Sequence, residues 1–298
     1  MKETVGVVFD AIGGFLMDDG WPIASHIALS MLTSLFPFFI FVTALAGFLG
    51  TSELAGEATK LIFEAWPQVV AGPIAGEVQS VLTQPRGGLL TIGGVLALYF
   101  SSSGVEALRT GLNRAYDALE HRSWWLLRLQ SILFMMVASF GLLALAFFVV
   151  LGPLIWAQAL AFAPQLAPLH QLVTAVRLGV AAFVLCVTLL VAHLWLPAVK
   201  LRIVDVAPGV ILTFVGSVGF GELFGLYLNE FARNYVTTYA GLASVMITLV
   251  FLYSVAAIFV FGGELNAAIL RAGRREKVRV RRAGRARGAG ASHLERRG

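Results

Sequence analysis

Residues 242–270 read LASVMITLVFLYSVAAIFVFGGELNAAIL, a long and almost uninterrupted apolar run. Its 29 residues contain one charged side chain, Glu264. A helix needs about 20 consecutive apolar residues to cross the hydrocarbon core of a bilayer. The stretch therefore predicts a transmembrane helix that carries a carboxyl group near one end.

Apolar runs of similar length recur along the rest of the chain. The composition agrees, since 58% of residues are hydrophobic and 13% are charged, whereas soluble domains carry about 25% charged residues. A shorter run, 89–100, leads into the serines Ser101 to Ser103. The pattern excludes a soluble globular protein. The four further long runs are 27–49, 132–156, 178–196 and 206–231.

The placement of basic residues predicts the topology. If the five long runs and the short run all cross the membrane and the N-terminus is cytoplasmic, 18 of the 22 lysines and arginines lie on the cytoplasmic side. Loops rich in Lys and Arg stay in the cytoplasm. Five spans would place the basic tail and the loop around Arg114 and Arg122 on opposite sides. We therefore predict an all-α polytopic membrane protein with six transmembrane helices and both termini cytoplasmic.

The sequence predicts one membrane domain, residues 1–272, and a basic tail, residues 273–298. The tail has many Gly and Ala residues and few large apolar side chains, so we expect it to be disordered. The outer segment 52–84 is expected to form short amphipathic helices. An N-terminal amphipathic helix is expected to lie at the inner membrane interface, because apolar residues recur there at helical spacing: Val5, Val8, Phe9, Ile12, Phe15 and Leu16.

Several motifs together resemble one family. SLFPFF at 34–39 is followed by LAGFL at 45–49, and the second span ends in SSSGVEALRTGLNRAY at 101–116. DVAPG at 205–209 precedes the fifth span, and GGELNA at 262–267 closes the last. The combination is similar to the YihY/BrkB membrane protein family, formerly labelled ribonuclease BN. Two departures are SHIA at 25–28 and YAG at 239–241, where the family usually has an aromatic pair and Tyr-Gly.

The resemblance covers nearly the whole chain except the tail. It implies a six-helix bundle in the bacterial cytoplasmic (inner) membrane, with links to virulence and to envelope or lipid transport. The ribonuclease label is generally regarded as a misassignment for this family, so the resemblance does not imply an enzyme.

One set of candidate site residues lies on the fifth span and at its outer end. Ionisable groups inside a membrane are costly and are often functional. Glu222 lies mid-span, and Gly221 and Gly225 would allow a neighbouring helix to pack closely and hide it from lipid. Glu222 is either a substrate-binding group or a packing residue. The other tentative substrate-binding residues are Asn229, Glu230, Arg233 and Tyr239.

A second set lies at the cytoplasmic end and is expected to form a structural or gating network. Glu106, Arg109 and Asn113 are spaced to share one helix face. Glu264 and Asn266 close the last span, and a Glu264–Arg109 ion pair is geometrically possible. Such ionic contacts often set helix register.

No catalytic residue, metal site or cofactor is predicted, because the sequence has no nuclease, Walker or His/Cys ligand pattern. We expect a non-enzymatic protein that transports or presents a lipid or other amphiphile. A membrane scaffold and, less favoured, a membrane-bound hydrolase or ribonuclease are the alternatives. Expected partners are membrane lipids rather than nucleic acid. An envelope protein partner and a homo-oligomer are left open.

Overall fold

A computed structural model describes residues 2–48, 89–146, 156, 160, 162, 164–239 and 241–295. Every long element in these ranges is a helix. The outer segment 52–84 lies outside the described residues. A 3₁₀ turn, Pro164–Leu169, precedes the sixth helix. The helices are α1 (Lys2–Met17), α2 (Gly20–Phe48), α3 (Leu89–Ser101), α4 (Ser103–Ala115), α5 (Trp124–Ala146), α6 (His170–Trp195), α7 (Ile203–Tyr239) and α8 (Gly241–Glu295).

Four stretches of these helices are long and apolar enough to cross a membrane. They confirm the predicted class, an all-α polytopic membrane protein, while the count of six spans stays a prediction. The other two predicted spans correspond to α2 and to the shorter α3. The four stretches are Trp124–Gly141, His170–Trp195, Ile203–Leu228 and Val245–Glu276.

Segments that the charge pattern places inside do meet at one end of the protein. Arg114 after α3 lies 3.4 Å from Asp19 before α2. Arg122 before α5 donates a hydrogen bond to the carbonyl oxygen of Leu196 after α6. The segment from α2 to α4 and the segment from α5 to α6 therefore each begin and end on this side of the protein. We call it the basic end.

Helix α4 is packed between α2 and α8. A Cβ atom on Gly111 would come within 2.9 Å of Ile27 on α2 and 3.4 Å of Val260 on α8. Leu112 is fully buried, and a Cβ on Gly263 of α8 would lie 3.0 Å from it. Small residues at these positions let the helices approach closely, as in other membrane bundles. This packing holds the polar residues of α4 at the basic end.

Helices α7 and α8 cross at close range. A Cβ on Gly209 would overlap the carbonyl oxygen of Gly262 and the amide of Asn266. A Cβ on Gly262 would overlap the hydroxyl of Thr213. Both positions accept only glycine unless the helices separate.

The structure agrees with the sequence prediction at the N-terminus and differs from it in the basic tail. The predicted N-terminal helix is present as α1, with Phe15 buried and Phe9 69% exposed. The tail differs, because α8 continues as helix to Glu295 where composition predicts disorder. Residues 273–298 contain no proline and many Arg and Ala residues, which favour helix. A low content of large apolar residues does not by itself exclude a helix.

We predict that Gly209→Ala destabilises the protein, because the added methyl group forces α7 away from α8. Overpacking of this kind costs about 1–3 kcal/mol. Thermal unfolding in detergent should show a lower midpoint for the variant. Gly219→Ala is the matched control on the same helix, since a Cβ there meets nothing within 4 Å. Equal midpoints for the two variants would contradict the close crossing.

Candidate functional site

Two buried arginines and one glutamate form an ionic cluster where α3, α4 and α5 meet. Arg128 lies 2.7 Å from Glu106 and also stacks over the ring of Tyr99. Arg109 lies 3.8 Å from the same carboxylate. It donates hydrogen bonds to Ser131 at 2.9 Å and to the carbonyl oxygen of Leu127. The cluster ties α4 to the start of α5.

The cluster contains two positive charges and one negative charge. Burial lowers the pKa of the Arg109 guanidinium from its ordinary value, and the nearby Glu106 opposes that shift. Arg128 adds a second positive charge to one carboxylate. Removing Glu106 would leave two buried cations without a counter-charge, a costly arrangement in a low-dielectric region. The cluster is therefore suited to fixing helix positions.

A loop clamp, formed by Asn113, Glu120 and Arg122, joins α4 to the segment after α6. Glu120 lies 2.7 Å from Arg122 and accepts a hydrogen bond from the amide of Asn113 at 3.1 Å. The side-chain oxygen of Asn113 accepts a hydrogen bond from the backbone N–H of Ala198 at 2.7 Å. The Arg122 bond to Leu196 completes the connection. The hydrogen bonds from Arg122 lower the pKa of Glu120 to about 2.

Helix α4 ends in a well-defined C-cap just before the loop clamp. Asp117 has a φ of 50°, the left-handed conformation in which Gly, Asn and Asp are tolerated best. The N–H of Asp117 donates to Arg114, and that of Ala118 donates to Asn113. This is the Schellman pattern of helix ends. It ends α4 and turns the chain towards Glu120.

Asn266 joins the backbones of α7 and α8. Its side-chain oxygen accepts a hydrogen bond from the N–H of Gly209 at 2.7 Å, and its amide donates to the carbonyl oxygen of Val206 at 3.1 Å. Asn266 is fully buried. Both halves of the amide are therefore satisfied by the neighbouring helix, which makes Asn266 a structural member of the predicted network.

Glu264 and Arg109 do not pair with each other. Glu264 is only 1% exposed, and its ion-pair partner is Arg271, one to two turns further along α8, at 3.4 Å. It also faces α1, since a Cβ on Gly14 would lie 2.5 Å from its carboxylate. Arg109 instead points towards α5. The two residues lie at the same end of the bundle but on different sides of it.

The outer set of candidates remains separate from this network. Glu222 is exposed on α7, and a Cβ on Gly221 or Gly225 would meet nothing within 4 Å. The close packing expected to hide Glu222 is therefore absent among the described residues. Glu230 is also exposed.

The other outer candidates, Asn229, Arg233 and Tyr239, lie on α7, but their side chains are outside the described part of the structure. A substrate-binding role for the outer set stays a prediction.

A groove between α1 and α8, the α1–α8 groove, opens at the basic end. Its volume is about 950 Å³. At its rim Asp10 of α1 and Arg275 of α8 form an ion pair at 3.0 Å. The groove thus combines apolar walls with a charged rim. Its lining residues are Gly6, Val7, Val8, Asp10, Leu265, Ile269, Ala272, Gly273, Arg275 and Glu276.

Sequence reasoning missed several members of these sites. Neither Arg122 nor Arg128 is singled out by the sequence pattern, although an arginine beside the start of an apolar run is a signal of buried pairing. Glu120 and Asp10 carried no pattern that could single them out. No group of three or more potential metal ligands occurs within the residues that the structure describes.

Apolar spanning helices and a polar network at one end define a polytopic membrane protein. The chain belongs to the Virulence factor BrkB family, whose model matches residues 11–286. The family resemblance drawn from the motifs is confirmed.

Two curated relatives extend the comparison. The ribonuclease-like protein YfkH of Bacillus subtilis is 29% identical over 86% of this chain and 92% of its own length. A UPF0761 membrane protein of Rhodospirillum centenum is 28% identical over 90% of this chain and 58% of that longer protein. No solved structure matches the chain.

We predict that the loop clamp weakens in acid. Glu120 has an ordinary pKa of 4.5 that falls to about 2 in the folded protein. Its stabilising contribution is present above about pH 4.5 and is lost as the pH falls towards 2, because the folded state holds the carboxylate ionised. Glu120→Gln removes this dependence, since an amide does not titrate in this pH range.

Thermal unfolding of wild type and Glu120→Gln at about pH 6.5 and about pH 3.5 checks this. The wild-type midpoint should fall by about 2–4 °C more than that of the variant. Glu276→Gln is the control, because Glu276 is exposed and has no ion pair among the described residues. Parallel changes in all three proteins would refute the clamp.

Proposed function

We propose that this membrane protein transports or presents a lipid or another amphiphile in the bacterial inner membrane, without catalysing a reaction. The α1–α8 groove carries the proposal. Its volume of about 950 Å³ falls at the upper end of the range typical of ligand sites, about 300–1,000 Å³.

The lining of the groove suits an amphiphile. Val8, Leu265 and Ile269 give an apolar wall that an acyl chain would cover. Asp10 and Arg275 at the rim offer charged groups of both signs to a polar headgroup. A molecule with one apolar and one polar part would satisfy both regions.

The position of α1 supports the same conclusion. Phe9 and Leu16 are 69% and 59% exposed on this helix. An amphipathic helix with large exposed apolar side chains lies at the boundary between headgroups and acyl chains. The groove would then open at the depth where a lipid changes from polar to apolar.

Filling the groove tests the proposal. A Cβ on Gly6 or Gly273 would meet nothing within 4 Å, and both residues line the groove. A phenyl ring at either position would occupy the groove without disturbing the packing. Gly13→Phe is the matched control, because Gly13 also lies on α1 with an open Cβ position but does not line the groove.

Mass spectrometry of the amphiphile that co-purifies in mild detergent gives the readout. We predict that Gly6→Phe and Gly273→Phe retain about tenfold less of it than wild type, a loss of about 1.4 kcal/mol, while Gly13→Phe retains the wild-type amount. Unchanged retention in both groove variants would reject the groove. Selective loss in Glu222→Gln would instead place the binding site on the outer part of α7.

A further inference from the structure

A second, smaller cavity lies at the basic end, on the side of α8 away from the groove. Its volume is about 260 Å³. It is enclosed by the end of α4, the segment between α6 and α7, and α8. We call it the basic pocket. Its lining residues are Tyr116, Asp117, Val199, Lys200, Leu201, Ala267, Leu270, Arg271 and Arg274.

We infer that the basic pocket binds a phosphate group, carried either by the headgroup of an anionic lipid or by a soluble phosphate compound. This function is separate from that proposed for the groove, because the two cavities share no lining residue.

The charges of the lining favour an anion. Three of the nine lining residues are basic, and Asp117 is the single acidic one. Lys200 and Arg274 are exposed and form no ion pair among the described residues. Their positive charges are therefore available to a ligand. An Arg guanidinium and a Lys ammonium bind phosphate oxygens through short, charge-assisted hydrogen bonds.

The third basic residue is held in place. Arg271 is about one-third exposed and lies 3.4 Å from the buried carboxylate of Glu264. The ion pair uses one end of the guanidinium, which has five N–H donors. The remaining donors have no hydrogen-bond partner within the part of the chain that the structure describes. Glu264 thus positions Arg271 at the wall of the pocket.

Tyr116 adds a neutral donor next to the pocket. Its hydroxyl is buried beside the amide of Asn266, and the side-chain oxygen of Asn266 already accepts a hydrogen bond from Gly209. Burial raises the pKa of Tyr116 to about 12, so the hydroxyl keeps its proton at neutral pH. The proton of this hydroxyl has no acceptor among the described residues, and an unsatisfied buried donor costs free energy. A small rotation of the ring towards a bound phosphate would satisfy it.

The other walls are apolar, with Val199, Leu201 and Leu270 lining the cavity. The basic end is the predicted cytoplasmic face of the membrane. Basic pockets between helices at that face are suited to the headgroups of anionic lipids. The apolar wall would then contact the glycerol or the start of an acyl chain.

The experiment compares wild type with the double variant Lys200→Gln/Arg274→Gln in detergent. Thermal unfolding is followed with increasing phosphatidylglycerol and, separately, with inorganic phosphate. The control is Arg114→Gln/Arg202→Gln, which removes the same number of charges at the same end. Both control residues are exposed, do not line the pocket and are paired with an aspartate.

We predict that one of the probes raises the unfolding midpoint of wild type. The double variant should need about tenfold more of that probe for the same shift, while the control stays within about twofold of wild type. Protection by inorganic phosphate identifies a soluble ligand. Protection by phosphatidylglycerol alone identifies a lipid headgroup.

Two results would overturn the inference: no protection of wild type by either probe, or an equal loss in the control, which would indicate a general charge effect. A groove variant, Gly6→Phe, separates this proposal from the function proposed above. It should respond to the probes as wild type does, whatever its retention of the co-purified amphiphile.

Discussion

The contact between Asn266 and the backbone of α7 sets the geometry on which both cavities depend. Asn266 exchanges two hydrogen bonds with Val206 and Gly209, and the glycine pair Gly209–Gly262 lets the helices approach closely enough for them. Backbone and amide groups buried in a membrane bundle have no water to bind, so an unsatisfied group is costly. This fixes the rotation of α8 about its axis. The residues after Asn266 then face defined neighbours.

From that fixed rotation, α8 presents two different faces at the basic end. Leu265, Ile269 and Ala272 face α1 and line the groove, whereas Ala267, Leu270 and Arg274 line the basic pocket. Spacings of three and four residues place each set on one side of a helix. The ionic cluster and the loop clamp join α4 to α5 and to the segment after α6, and α4 packs against α8 through Leu112 and Gly263. One structural core thus shapes two cavities of different chemistry.

The sequence predicted the helices and the class of protein well, because apolar runs and charge bias act along the chain. Its predictions of side-chain partners were less reliable. Arg109 and Glu264 were placed at the correct end, yet their pairing depends on how α4 and α8 are rotated about their axes, which no single helix pattern reports. Glu222 was expected to be buried because lipid exposure is costly, but Gly221 and Gly225 have no packing partner among the described residues.

The two-faced arrangement of α8 has a mechanical consequence. A rigid helix cannot turn about its axis without moving both of its faces, so a displacement that widens the groove must also shift Arg271 and Arg274 at the pocket. A side chain that fills the groove from α1 without moving α8 leaves the pocket unchanged, whereas a ligand that turned α8 would act on both cavities, and that effect would be reciprocal. The hydrogen bonds of Asn266 to α7 oppose such a turn, so the same contact that shapes the two cavities also keeps them independent.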